Sequence, residues 1–152
     1  MTTILPPTEV AALIRARFPD AVQAVDAFGV RLAPASLVEV CQYLRDEPSL
    51  AFDYLVMETA VDYIEDDYFE VVYVLRSLQH NHELALKVRT DTRDDPVVPS
   101  LVDLWQTAEF QEREIYDLFG IRFAGHPDLR RLFLWEEFRG HPLRKDFLPL
   151  AQ

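Results

Sequence analysis

The amino-acid sequence predicts an α+β domain of two layers, helices packed on a mostly antiparallel sheet, followed by an extended irregular C-terminal arm. Three observations predict it. Residues 52–64, 68–77 and 83–90 are rich in β-branched and aromatic side chains, with only short turn signals between them. Apolar residues at helical spacing flank that block on both sides. Beyond Ile121, Pro127, Pro142 and Pro149, with Gly125 and Gly140, leave room for little more than a turn or two near Leu132–Phe138. The chain therefore divides into a compact domain, 1–120, and an arm, 121–152.

Taken in order, Thr8 follows Pro6-Pro7 as an N-cap for a helix running to about Phe18, with Val10, Leu13, Ile14 and Phe18 on one face. Pro19-Asp20 ends it. Residues 21–27 and 30–32 read as a short hairpin around Gly29. Ser36-Leu37-Val38-Glu39 has the capping-box pattern and opens a helix to Arg45, closed by Asp46-Glu47-Pro48. Then come the three strands, turning at Glu65-Asp66-Asp67 and at 79–82. In the second, Phe69, Val71, Tyr73 and Leu75 share a face opposite Glu70, Val72, Val74 and Arg76. That incomplete alternation predicts one buried face and one partly covered by helices. After the loop from Asp91 to Pro96, Pro99-Ser100 opens a helical stretch that runs, with a break near Thr107, to Phe119. Gly120 fits the position just past its end.

The chain has 152 residues, 49% of them apolar, enough for one core without disulfides. Its formal charge of −11 argues against a nucleic-acid binder, which needs a basic face. Residues 1–120 hold 22 Asp/Glu against 9 Lys/Arg, and residues 121–152 hold 4 against 6. An acidic body with a basic tail implies that the tail docks on something acidic, its own body or a partner. Cys41, alone, can form neither an internal disulfide nor an iron–sulfur site, which points to a reducing compartment. Its neighbours Val38, Val40 and Leu44 make it a small buried hydrophobe. The start lacks the pattern of a signal peptide, and no apolar run approaches the ~18 residues that span a bilayer, so a soluble, cytoplasmic chain is expected.

The most informative stretch is Glu112-Arg113-Glu114-Ile115-Tyr116-Asp117-Leu118-Phe119-Gly120. On a helical wheel Trp105, Ala108, Ile115, Tyr116 and Phe119 fall within roughly 60° of Glu112, while Arg113, Glu114 and Asp117 fall on the other side. Glu112 thus sits inside the apolar stripe, where an unpaired carboxylate costs several kcal/mol. Arg130, Arg131, Arg139 and Arg144 are the candidate partners downstream, and a buried ion pair between Glu112 and one of them is expected to lock body to arm. Arg113 and Asp117, four apart, are expected to form an exposed pair.

The motif Glu112-Arg113-Glu114, Tyr116-Asp117-Leu118-Phe119-Gly120-Ile121, His126-Pro127, Leu129-Arg130-Arg131 and Gly140-His141-Pro142-Leu143-Arg144-Lys145-Asp146-Phe147 closely resembles the C-type subunit of NADH–quinone oxidoreductase, respiratory complex I. The ordered block covers about 105–148; Phe52-Asp53-Tyr54-Leu55 and Phe69-Glu70-Val71-Val72-Tyr73 are similar less specifically. The resemblance implies a nearly complete, non-catalytic subunit of the peripheral arm, on the cytoplasmic side of a bacterial membrane, with no fused second domain. It implies no flavin, no iron–sulfur cluster and no quinone-reducing residue in this chain, FMN, clusters and quinone belonging to partner subunits. It also implies that the C-terminal segment wraps the D-type quinone-site subunit near the B-type cluster-bearing one. Phe133, Trp135, Phe138 and Phe147 are the expected apolar anchors, and Arg144, Lys145 and Asp146 the polar register. Related subunits serve ferredoxin-fed complexes and membrane-bound hydrogenases, so the motif leaves the electron donor open.

Rival chemistries fit less well. Glu112 and Glu114 lie about 200° apart on one helix and cannot flank a single bond, which weighs against a free-standing hydrolase. His126 and His141 match no zinc spacing and are better read as bonding backbone or a partner within Gly-His-Pro turns. His80 and His82 read as a solvated hairpin end. Four glycines make no phosphate loop, so a site for NAD is not expected.

Overall fold

The computed structural model describes residues 1–149; residues 150–152, the end of the predicted arm, lie outside the described residues. In chain order the elements are β1 (Thr3–Ile4), α1 (Pro7–Arg17), β2 (Val22–Val25), β3 (Val30–Leu32), a 3-10 turn at Pro34–Ser36 and α2 (Leu37–Asp46). Then follow β4 (Tyr54–Tyr63), β5 (Tyr68–Ser77), β6 (His82–Arg89), β7 (Val97–Pro99), α3 (Ala108–Phe119) and β8 (Arg122–Ala124). The sheet runs in the order β2-β3-β6-β5-β4, antiparallel except where β3 meets β6. Two-residue β1 also pairs with β6 in parallel, through His82 and Glu83, so β1 and β3 lie one after the other along one edge. The predicted α+β class holds.

Helix starts differ from expectation. Helix α1 begins at Pro7, one residue before Thr8, and its N-cap Pro6 makes no side-chain bond. Pro7 at the first helical position needs no N–H partner and brings a φ already suited to the helix. Ser36 sits at helical dihedrals at the end of a 3-10 turn and caps nothing, so the capping box does not form. No helix opens at Pro99-Ser100: Val97–Pro99 is strand, and α3 starts at Ala108. The strand Arg122–Ala124, pairing in parallel with β7, likewise falls in a stretch where no regular structure was expected.

One core joins the layers. Phe69, Val71, Tyr73 and Leu75 are fully buried as predicted, against Ile14 of α1, Leu37, Val40, Cys41 and Leu44 of α2, and Ala108 and Ile115 of α3. Burying each such aliphatic side chain contributes about 1.5–3 kcal/mol. Leu13 and Val38 point to solvent instead. The buried apolar residues of all three helices join this core. On the opposite face of the sheet Met57 and Val61 of β4 are exposed, while Val72, Val74 and Arg76 of β5 are half-buried. Val98 of β7 and Phe123 of β8 are buried in the same core.

Candidate assembly interface

Helix α3 ends as its sequence requires. Gly120 adopts φ +76°, the left-handed conformation that glycine tolerates, and its N–H donates to the Tyr116 carbonyl. The turn sends β8 beside β7 and leaves residues 125–149 to run irregularly over the outer side of α3.

Asp117 anchors that run. It is fully buried, and its Oδ1 accepts from Arg131 Nη1 at 2.8 Å. Its Oδ2 accepts from three consecutive backbone N–H groups, those of Leu132, Phe133 and Leu134, at 3.1, 2.8 and 3.0 Å. Burial pushes this carboxyl up, but the Arg131 bond and the three N–H donors outweigh it and hold the pKa below the usual range. Arg131 continues outward, donating through Nη2 to the Phe138 and Gly140 carbonyls at 2.9 and 3.0 Å. One ion pair thus fixes the path of the arm from Arg131 to Gly140.

This corrects two expectations. Glu112 is buried, but among the described residues no arginine meets it: Ser100 Oγ donates to Oε2 at 2.6 Å and the Leu101 N–H to Oε1 at 2.7 Å. His126 Nε2 stands 4.0 Å from Oε2. Glu112 therefore ties α3 to the segment after β7, and burial pushes its carboxyl up against the pull of those two donors. The lock joining body to arm is Asp117–Arg131. Nor do Arg113 and Asp117 form an exposed pair, since both are buried beneath the arm. Arg113 donates instead to the carbonyls of Arg130 and Arg131, each at 3.1 Å. Glu114 is exposed, on the side away from Glu112.

The two Gly-His-Pro turns dock on α3 at opposite ends, both through backbone, as the sequence suggested. His126 Nε2 meets the Glu109 carbonyl at 3.0 Å, while its Nδ1 accepts the Asp128 N–H, so Nε2 carries the proton. His141 Nδ1 meets the Asp117 carbonyl at 3.0 Å. Burial, with the Arg131 and Arg144 charges nearby, lowers the His141 pKa. Leu143 N–H donates to the Leu118 carbonyl and Arg144 Nε to that of Phe119, at 3.0 and 2.6 Å. Residues 141–144 thereby satisfy the carbonyls that the last turn of a helix leaves without partners.

Two side chains that sequence reasoning did not single out finish the docking. Arg93, from the acidic loop before β7, forms a bidentate pair with buried Asp62 of β4, both bonds 2.8 Å, and reaches Asp146 at 2.9 Å. The Lys145 N–H donates to Asp62 Oδ2 at 2.8 Å. Lys145 and Asp146 are themselves exposed. Arg93 and Arg144 also share one aromatic neighbour, lying 5.2 and 5.1 Å from the Phe69 ring centre. Arg144, Lys145 and Asp146 therefore set the register of the arm on its own body. Asp62 is buried on the inward side of β4 with Ala60, and an acid among core positions needs a partner.

The aromatic residues divide. Phe138 and Phe147 are half-buried and stack on each other, centres 6.1 Å apart, and a Cβ on Gly140 would stand 3.0 Å from the Phe147 ring. Phe133 and Trp135 are 65% and 58% exposed, and Leu143 and Phe110 are more than half exposed. Pro127, Arg130 and Arg139 also face solvent, and Pro142 is half-buried. Among the described residues no three His, Cys, Asp or Glu side chains group as metal ligands, and no helix is long and apolar enough to cross a membrane.

Comparison with known proteins places this geometry. The chain is 43% identical to the C-type NADH-quinone oxidoreductase subunit numbered 2 in Rhizobium etli over 143 residues, covering 90% of this chain and 74% of that one. It is 43% identical to the C-type NADH-quinone oxidoreductase subunit of Roseiflexus castenholzii over 147 residues, covering 93% and 83%. A chain from the membrane-bound sulfane sulfur reductase, an archaeal respiratory membrane complex, shares the fold at a TM-score of 0.75 and 23% identity, covering 94% of this chain and 86% of that one. Residues 30–152, which include α3 and its arm, match the family described as respiratory-chain NADH dehydrogenase, 30 Kd subunit, and the chain belongs to that family.

Proposed function

We propose that this chain is a scaffold of the peripheral arm of a proton-translocating NADH–quinone oxidoreductase, contributing no reacting group of its own to electron transfer from NADH to quinone. It would sit peripherally on the cytoplasmic side of the membrane, with its arm against the D-type quinone-site subunit and the B-type cluster-bearing subunit. FMN, iron–sulfur clusters and quinone would belong to those and other partner subunits.

One observation carries this reading. The arm is pinned to α3 by buried polar contacts, yet it turns Phe133, Trp135 and Leu143 outward. Large apolar side chains held in solvent by a fixed backbone mark a protein interface. Arg131, Arg144 and Asp146 direct their hydrogen bonds to the chain's own body, and the outward apolar groups remain for a partner. The family membership supplies the complex in which such a surface would be used.

The test is the double variant Phe133→Ala/Trp135→Ala, introduced into the native complex with an affinity tag on the N-terminus. Both side chains are mostly exposed, so the isolated chain is expected to keep its melting temperature. Recovery of the cluster-bearing and quinone-site subunits is expected to fall at least tenfold, since interface aromatics of this kind contribute about 2 kcal/mol or more each. Undiminished recovery would remove the arm from the docking account.

A further inference from the structure

Glu58, on the inward face of β4, is among the described residues the one buried acid whose carboxylate has no hydrogen-bond partner. Neither of its carboxylate oxygens accepts a hydrogen bond from any described residue, and the residue is 5% exposed. The groups facing it come from every element packed around it. Directly across in the sheet, β5 presents Tyr73, whose hydroxyl is buried and also without a partner among the described residues. Helix α2 presents the Cys41 thiol, fully buried and pushed up by that burial and by Glu58. Helix α3 presents Glu112, and Gln111, whose Oε1 accepts the Glu58 backbone N–H at 2.6 Å. Beyond Glu112 stand Ser100, which donates to it, and His126 of the arm at 4.0 Å. Among the described residues no lysine or arginine pairs with either carboxylate.

Gln111 of α3 bonds the Glu58 backbone N–H, which sets the next residue of that helix, Glu112, against the same stretch of β4, and two carboxylates buried there cannot both stay ionised without a cation. Their local bonding is unequal. Glu112 holds a hydroxyl and a backbone N–H, both of which favour its anion. Glu58 holds nothing that favours an anion. We propose that Glu58 and Glu112 form a buried proton site at the root of the arm, occupied at neutral pH by one proton carried on Glu58 beside the Glu112 anion. Burial, and then the Glu112 charge, push the Glu58 pKa well above the ordinary carboxylate value, in agreement with that assignment. Releasing this proton would set two like charges between β4 and α3, the helix on which the arm is docked.

The sign of the linkage is fixed. The folded chain binds the proton more tightly than an unfolded glutamate, whose pKa is about 4.3. The stabilisation is therefore fully present below about pH 4.3 and is lost as pH rises through the folded value, the folding constant falling by up to about tenfold per pH unit in that window.

The experiment is infrared spectroscopy of the full chain in deuterated buffer at neutral pH, where solvent-exposed carboxylates are ionised. Wild type is expected to show the carbonyl band of a protonated, solvent-shielded carboxylic acid, lost on raising the pH. Glu58→Gln is expected to lack the band and to show a flatter fall in chemical-denaturation midpoint on the alkaline side. Glu112→Gln is expected to keep the band, shifted. Absence of the band in wild type overturns the proton site, and this arm needs no variant to fold. A band that survives Glu58→Gln and disappears in Glu112→Gln places the proton on the wrong residue and overturns the assignment.

Discussion

Asp117 concentrates in one carboxylate what the arm needs for a fixed position: a cation, three consecutive backbone donors and complete shielding from water. Replacing Asp117 by Asn keeps the shape but leaves Arg131 without its counter-charge, and breaking a buried pair in this way costs about 3 kcal/mol or more. Because the folded pKa of Asp117 is depressed, its contribution is present above the ordinary aspartate value of about 3.9 and is lost as pH falls through the folded value. Denaturant midpoints measured from neutral to acid pH are therefore expected to fall for wild type, and Asp117→Asn to start lower and lose less over the same range. Equal acid sensitivity in the two proteins would mean that Asp117 is not the residue titrating. The sequence marked Asp117 as family signature but placed it on the solvent side of the wheel. A wheel with one apolar stripe assumes one buried face, whereas α3 has two, one against the sheet and one beneath the arm. Glu112 was legible as buried because it interrupts the stripe itself. Its partner was not, because a hydroxyl and a backbone N–H leave no charge pattern in sequence.

Element α3 is finished by residues that lie far along the chain from it. The carbonyls of Asp117, Leu118 and Phe119 are satisfied by His141, Leu143 and Arg144, and Arg131 and Arg144 place positive charge at the negative end of the helix dipole. This works only if the chain turns tightly at Gly120. A Cβ there would stand 2.6 Å from the His141 ring and 3.0 Å from Arg144 Nη2, at a φ of +76° that other residues adopt with strain. Gly120→Ala is expected to lower stability by about 1–3 kcal/mol, as strain at such a position does. The reading is a urea midpoint that moves without a change in the denaturant slope. A neutral result would show that the arm shifts aside at no cost. The glycine was visible in the sequence, being the residue that follows a helical pattern. The burial of Glu58 was not, for a local reason. A bulge between Leu55 and Met57 of β4 shifts the alternation by one residue. Strict alternation would have grouped apolar Leu55, Met57 and Val61 as the core face and left Glu58 and Asp62 in water. The bulge turns both acids inward, one to Arg93 and one to Glu112.

Across the whole molecule, the charge asymmetry between an acidic body and a basic arm resolves mainly within the chain. Arg131 meets Asp117 of the body, and Arg144 caps α3, while Asp146 of the arm reaches back to Arg93 of the body. The exposed pairs Arg130–Asp128 and Arg122–Asp95 add little, as surface pairs are screened and solvated. If the buried contacts suffice, the arm is docked before any partner arrives, and what a partner meets is a preformed surface instead of a disordered tail that must lose its freedom on binding. Amide hydrogen exchange on the isolated full chain distinguishes these cases. The N–H groups of Leu132, Phe133 and Leu134, all donated to Asp117, are expected to exchange slowly, alongside those of α3. Moderate salt should leave them protected, because the receiving carboxylate is buried and poorly screened. Asp117→Asn should bring their exchange close to that of the exposed residues Glu136 and Glu137, because the arm then loses its counter-charge. Fast exchange at all three positions in wild type would mean that the arm docks only in the assembled complex, and the cost of ordering it would then be drawn from the binding energy of that assembly.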